Sequence, residues 1–398
     1  VARGYVPIAF TRIDRWLGIA LFTLAALAAV ILWLSSLMVS PPRPRVSASA
    51  RPTLGLALKE DGATLRIVRA ASPAADSGLR AGDRITAIDG KRSPTMADVA
   101  SRLASAAEGQ SIPIEARRGP QGAGETGVLA NVTVAVRNVS PADLGLPFED
   151  VTFRNADGLI LRGWYIPPPP EGAGRAAAIA YGHGNAADRT QWLPSVTAVH
   201  DAGFAQLLFD FTGRGESDGE VITLGAHEAA DLRSALDVLA ARPEVDPLRL
   251  AVGGISMGAV AAISLAADDA RVKALVLDSP FADLTLLANR VIGSHYVPAG
   301  LVRPILFGVA GWRAHYDPSS VRPVDAIRKV TAPILLFHGE SDTVVPFADA
   351  LALKSAARGP FTLVALPGLD HNSPRPGTYQ EKIVLFLTRT LPPSWRSP

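Results

Sequence analysis

Cysteine is absent from all 398 residues. That excludes disulfides, thiolate metal sites and a cysteine nucleophile, and it leaves the redox compartment open. A surplus of charge of either sign is also missing. With a formal net charge of +2, neither a basic stripe for nucleic acid nor an acidic tail is expected. His227, His295 and His315 are scattered without a second ligand at metal spacing, so no metal is inferred. Aromatic residues are scarce and no long internal repeat is visible. The length suffices for two domains and a sizeable core.

From Trp16 to Val39 the missing feature is charge itself: "WLGIALFTLAALAAVILWLSSLMV" contains none. At about 1.5 Å per helical residue, this run crosses a hydrocarbon core of about 30 Å. Trp16 and Trp33 stand near its ends, where indole rings favour the interface. The "ASA" at 48–50 resembles a signal-peptide cleavage site. The apolar run, however, far exceeds a signal core of roughly 7–15 residues, and "PPRPR" intervenes. The sequence therefore predicts an N-terminal tail over 1–15, a retained transmembrane helix over 16–39 and a stiff polar linker over 40–52. Arg3, Arg12 and Arg15 before the span balance Arg43, Arg45 and Arg51 after it, so the positive-inside count is a tie. Both globular domains follow the span, and the expected location for them is periplasmic or extracytoplasmic.

Residues 53–138 form a first globular unit. "TLRIVRA", "RITAIDG", "IPIEARR" and "NVTVAV" read as strands, the last two joined by the Gly-rich "GPQGAGETG". "MADVASRLASAA" has helical apolar spacing at Met96, Val99 and Leu103. "LGLAL" at 54–58 and "SPAADSGLRAGDRITAIDGKR" at 72–92, with the helix after them, resemble a PDZ domain of the kind attached to bacterial HtrA-type proteases. The resemblance implies binding of an extended peptide or protein C-terminus beside a sheet edge. It makes Leu54, Gly55, Leu56 and Ala57 the peptide-binding candidates, with Val99 and Leu103 lining the pocket.

From 146 to 392 the rhythm changes. A hairpin turning at Asp157-Gly158 is followed by apolar strands that alternate with helices, which implies a mostly parallel sheet covered on both faces. "LRLAVGG" leads directly into Ser256, and "AVAAISLAA" leaves it. Flanking glycines at Gly254 and Gly258 suit a turn too tight for side chains, on which a strained serine exposes its hydroxyl. Such a serine needs a base, and the base needs an orienting carboxylate. Asp342 follows the strand "APILLFHG" and His371 the strand "FTLVALPG". This strand–serine–helix context and the order Ser256, Asp342, His371 resemble the α/β-hydrolase superfamily.

The resemblance implies an α/β-hydrolase fold with Ser256, Asp342 and His371 catalytic and with Met257 and Asn185 supplying the oxyanion amides. "HGN" at 183–185 is similar to a branch that includes membrane-anchored esterases and protein depalmitoylases. Gly184 would let the backbone approach closely. His183 and His338 read as braces for their loops, and Arg214 with Glu216 as a structural ion pair. Asp278 and Asp370 are rival acids. A small lid is expected at about 279–325, with Phe281, Tyr296, Phe307 and Trp312 as aromatic surface. The implied activity is cleavage of a carboxylic ester or thioester without a cofactor. The alternatives are a serine peptidase of the prolyl-oligopeptidase type and a non-catalytic PDZ scaffold. A connection of about ten residues would join the two units and span at most about 35 Å.

Overall fold

Side-chain periodicity divides the chain into two kinds of sheet. The computed structural model describes residues 50–53, 56–61, 64–70, 74–95, 98, 99, 102, 110–118, 126–133, 135–170, 174–294 and 298–392. The apolar run 16–39 lies outside the described residues, as do Leu54, Gly55, Met96, Leu103 and Tyr296. Among the described residues no helix is long and apolar enough to cross a membrane.

The first sheet is antiparallel. Its strands are β2 (Leu56–Asp61), β3 (Thr64–Ala70), β4 (Arg84–Ile88), β6 (Ser111–Arg118) and β7 (Thr126–Thr133), in that spatial order, with β5 (Lys91–Arg92) paired to β4. Ile112, Ile114 and Ala116 of β6 are buried, while Ser111, Pro113 and Glu115 between them are exposed. That alternation is what a sheet covered on one face requires. The buried residues pack with Leu65, Ile67, Ile85 and Val132. Val99, expected to line a pocket, is instead part of this core.

Two boundaries differ from the sequence expectation. Ala50–Thr53 is not linker but strand β1, which pairs antiparallel with β8 (Ala135–Asn138). Pro52 is tolerated there because a two-stranded ribbon consists only of edges, where a missing N–H need not break a ladder. The second unit also starts before residue 146. A short 3₁₀ turn at Pro141–Leu144 is pinned by the Asp143 carboxylate, which accepts from the Ser140 amide at 2.8 Å. Leu144 and Leu146 then pack beside Trp164 and Val199. Apolar residues in the expected connection have been drawn into the core. Only Val139 and Ser140 separate β8 from the 3₁₀ turn.

The second sheet has eight strands: β9 (Glu149–Arg154), β10 (Ile160–Ile166), β11 (Ala176–Gly182), β12 (Ala205–Phe209), β13 (Val245–Ile255), β14 (Val272–Asp278), β15 (Ile334–Gly339) and β16 (Phe361–Leu366). Their spatial order is β9-β10-β12-β11-β13-β14-β15-β16. The β9–β10 and β10–β12 pairs are antiparallel and the rest parallel. Alternate residues serve opposite faces. Leu250, Val252, Leu275, Leu277 and Leu336 join one core cluster, and Ala251, Ala274, Val276, Leu335 and Phe337 join the other. Helices α1 (Leu193–Asp201) and α7 (Gly377–Thr390) cover the second face. The first is covered by α2 (Glu228–Ala240), α3 (Met257–Asp268) and α6 (Phe347–Ala356). This is an α/β-hydrolase arrangement, with three layers and both sheet faces buried.

Between β14 and β15 the expected lid region contains α4 (Leu284–Gly293) and α5 (Ala299–Ala314). Its aromatic residues do not all face outward. Phe281 and Phe307 turn into a cluster with Val260, Leu284 and Val345, whereas Trp312 is 76% exposed. Burying Phe281 and Phe307 fastens the region to the domain.

Candidate active site

The site is built at the carboxyl ends of β11, β13, β15 and β16, where an open α/β sheet leaves its crevice. Ser256 connects β13 to α3 with φ +52° and ψ −114°, a conformation costly for any residue with a Cβ. The glycines around it are sterically enforced. A Cβ at Gly254 would lie 2.4 Å from the Gly258 carbonyl oxygen, and one at Gly258 would lie 2.3 Å from the Gly182 carbonyl oxygen. Gly184 is different. A Cβ there would sit 3.4 Å from Gln191 and 3.6 Å from Ser256, which is ordinary contact, so no protein atom enforces glycine at this position.

His371 lies in the loop after β16 and links serine to acid. Its Nε2 is 3.1 Å from Ser256 Oγ and its Nδ1 is 2.7 Å from Asp342 Oδ2. The other carboxylate oxygen of Asp342 accepts from the amides of Val344 and Val345, at 2.9 and 2.7 Å. The acid is therefore fixed by its own loop and presents one oxygen to the imidazole. Ser256, Asp342 and His371 are thus brought together, although the serine and histidine are far apart in sequence.

Asp370 and Asp278 are engaged elsewhere. Asp370 accepts from the amides of Thr343 and His371, each at 2.7 Å, which ties the histidine loop to the aspartate loop. Those two amides hold its carboxyl below the usual carboxylate range. Asp278, at the end of β14, receives a two-toothed ion pair from Arg375, Nε to Oδ2 and Nη2 to Oδ1, each 2.8 Å. Both partners are largely buried. Removing one partner of such a pair typically costs about 3–5 kcal/mol, because a buried charge is left alone. Arg375 was not legible as a site residue. It stands among prolines in "SPRPG", and nothing local marks its partner across the fold.

The loop after β11 carries Asn185. Gln191 Oε1 accepts from the Gly184 amide at 2.7 Å, and the Asn185 side-chain oxygen accepts from Arg214 Nη2 at 2.7 Å. Met257 is the first residue of α3, so its amide belongs to the helix turn that lacks intrahelical acceptors. Among the described residues no protein acceptor is found for the amide of Met257 or Asn185. Glu216, read as the partner of Arg214, is held by Arg189. Leu56 and Ala57 open β2, the first strand in the order of the first sheet.

His183 and His338 are buried braces. His338 Nε2 reaches the Val345 carbonyl at 2.8 Å, below the Asp342 turn. His183 Nε2 accepts from the Phe211 amide at 3.1 Å while Nδ1 faces the Gly184 carbonyl at 2.8 Å, so the ring is neutral with its proton on Nδ1. Among the described residues no cluster of histidine and carboxylate groups is arranged to hold a metal ion.

A family model for the prolyl oligopeptidase family matches residues 195–391, and one for the PDZ domain matches residues 67–118. The uncharacterized protein Rv2307c of Mycobacterium tuberculosis is 37% identical over 225 residues, which are 56% of this chain and 73% of that protein. The uncharacterized protein YfhR of Escherichia coli is 32% identical over 253 residues, 62% of this chain and 82% of that protein. The esterase Pf2001 of Pyrococcus furiosus superposes with a TM-score of 0.53 at 24% identity, over 65% of this chain and 96% of that one. At that identity it supports the fold alone.

Burial pushes the His183 imidazole down from the ordinary 6.5 to about 4. An unfolded chain takes up this proton near 6.5 and the folded one only near 4. Its contribution to stability is therefore full above 6.5 and is lost as the pH falls. We expect chemical denaturation to register a loss of about 2 kcal/mol from this group between pH 7 and pH 5. His183→Gln, which keeps an acceptor for the Phe211 amide, should lose correspondingly less over the same interval.

Proposed function

We propose that this chain, which belongs to one family with Rv2307c and YfhR and matches a hydrolase family model, cleaves a carboxylic ester or thioester through Ser256, His371 and Asp342. The observation that carries this reading is the continuous Ser256–His371–Asp342 bonding, at 3.1 and 2.7 Å. Ser256 Oγ bonds to the carbonyl carbon while its proton passes to His371 Nε2. Asp342 holds the Nδ1 proton in place and stabilises the imidazolium. The amides of Met257 and Asn185 receive the developing oxyanion. Collapse of the tetrahedral species breaks the bond to the alcohol or thiol, which leaves with the proton from His371. Water then repeats the sequence on the acyl-enzyme, and Ser256 is regenerated. No cofactor takes part in these steps.

The match to the prolyl oligopeptidase family supports a second reading, amide hydrolysis of peptides. A panel of chromogenic acyl esters, thioesters and aminoacyl amides decides between the two. The complete Ser–His–Asp constellation weighs against a scaffold without activity.

The PDZ unit, in this proposal, captures an extended chain end at the outer edge of β2, with Leu54 to Ala57 receiving the terminal carboxylate. Only Val139 and Ser140 separate β8 from the first turn of the hydrolase, so a captured chain has a raised effective concentration at Ser256. The uncharged run 16–39 anchors the protein in a membrane, with both globular units on the periplasmic or extracytoplasmic side.

A fluorophosphonate probe should label the full chain, and Ser256→Ala should abolish labelling. Asp342→Asn should lower kcat by about four orders of magnitude by changing the histidine tautomer, whereas Asp370→Asn should lower it far less. A larger loss in the Asp370 variant would reassign the acid. For the PDZ unit, an acylated peptide with a free C-terminal carboxylate should be cleaved at lower KM than its C-terminal amide. Equal KM values would remove the recruiting role. For topology, a cysteine introduced at Ser47 should react with an impermeant maleimide on spheroplasts. Labelling only after lysis would mean the opposite orientation.

A further inference from the structure

The proposed reaction needs Ser256 and His371 at a fixed separation, yet they sit on different loops that share no strand. One side chain bridges their supports. The Ser256 amide donates to the main-chain oxygen of Asp278 at 2.8 Å, so the nucleophile turn hangs from the end of β14. The Asp278 carboxylate holds the Arg375 guanidinium through two bonds of 2.8 Å. The remaining donors of that guanidinium reach back into the histidine loop. Nη1 donates to the carbonyls of Asp370 and Ser373 at 3.2 and 3.1 Å, and Nη2 donates to the His371 carbonyl at 3.2 Å. Ser279, itself at φ +51°, donates from Oγ to Asp278 Oδ1 at 2.8 Å and fixes the carboxylate further.

We propose that Arg375 is a positioning residue, which uses its pair with Asp278 to hold the 370–375 loop so that His371 Nε2 stays within bonding distance of Ser256. The planar fork is essential. Its five N–H groups in fixed directions satisfy one carboxylate and three carbonyls together, whereas a lysine ammonium offers three donors from one point. Asp278 thereby has a task distinct from that of Asp342. One acid orients the imidazole ring, and the other anchors the backbone that carries it. This inference rests on the Ser256–His371–Asp342 reading above.

The test uses the full chain with Arg375→Lys, Arg375→Ala and the double variant Asp278→Leu/Arg375→Met, beside Ser256→Ala and His371→Ala. Each is followed by thermal melting, by kcat and KM on a small chromogenic ester, and by the rate of fluorophosphonate labelling. Displacing the imidazole by an ångström should lower kcat about 100-fold, with KM unchanged and labelling slowed in parallel. Arg375→Lys should recover only part of the loss. Adding Arg375→Ala to His371→Ala should cost no further activity, since Arg375 acts through the histidine. Arg375→Ala lowers the melting temperature under either role, because it leaves Asp278 unpaired; a purely structural role would be marked by a loss that adds to the His371 defect. The double variant leaves no buried charge unpaired and Arg375→Lys keeps the charge, so folding is guarded on both sides. Wild-type kcat in either, or an additive loss in the His371→Ala background, overturns the proposal. Full activity in Ser256→Ala would instead overturn the nucleophile assignment beneath it.

Discussion

The hydrolase unit is organised around one steric constraint, the close approach of Gly258 to the carbonyl of Gly182. Because no Cβ intervenes, α3 can start directly against the end of β11. The chain then has a single residue in which to leave β13 and enter the helix. Ser256 takes up that reversal at positive φ, and the strain is held by the cores on both sides of the sheet. The turn-borne hydroxyl and the helix-terminal amide of Met257 are two consequences of the same contact.

Everything else at the site is delivered to that fixed point by loops, and loops need fastening. Asp342 is fastened by the amides of Val344 and Val345, and the His371 loop by Asp370 from one side and Arg375 from another. Buried ionic groups are therefore concentrated where the backbone is irregular. Regular strands satisfy their own polar groups, whereas a turn at a strand end must borrow donors and acceptors from side chains.

The two units obey different burial rules. Among the described residues the PDZ sheet buries one face, and β2 stands first in its strand order. In the hydrolase sheet both faces are covered and the working groups gather at the strand ends. The short Val139–Ser140 connection follows from Leu144 and Leu146 being more stable against Trp164 and Val199 than in water.

Much of this was legible in the chain itself. Period-two burial in "SIPIEARR", fully apolar strands such as "AAAIAYG" and the Gly-x-Ser-x-Gly turn are local patterns, because pleat and turn sterics act over a few residues. The order of serine, acid and histidine gave the candidate trio for the same reason, each lying just past a strand. Tertiary structure alone decided which carboxylates serve which partner. Asp278, Asp342 and Asp370 look alike as sequence, and only packing brings Arg375 to the first, His371 to the second and the Thr343 amide to the third. It also turned Phe281 and Val99 inward and moved Ala50–Thr53 into a strand. Hydrogen bonds and ion pairs act over about 3 Å, so their partners are chosen by where the folded chain places them, and residue type fixes only what each group can donate or accept.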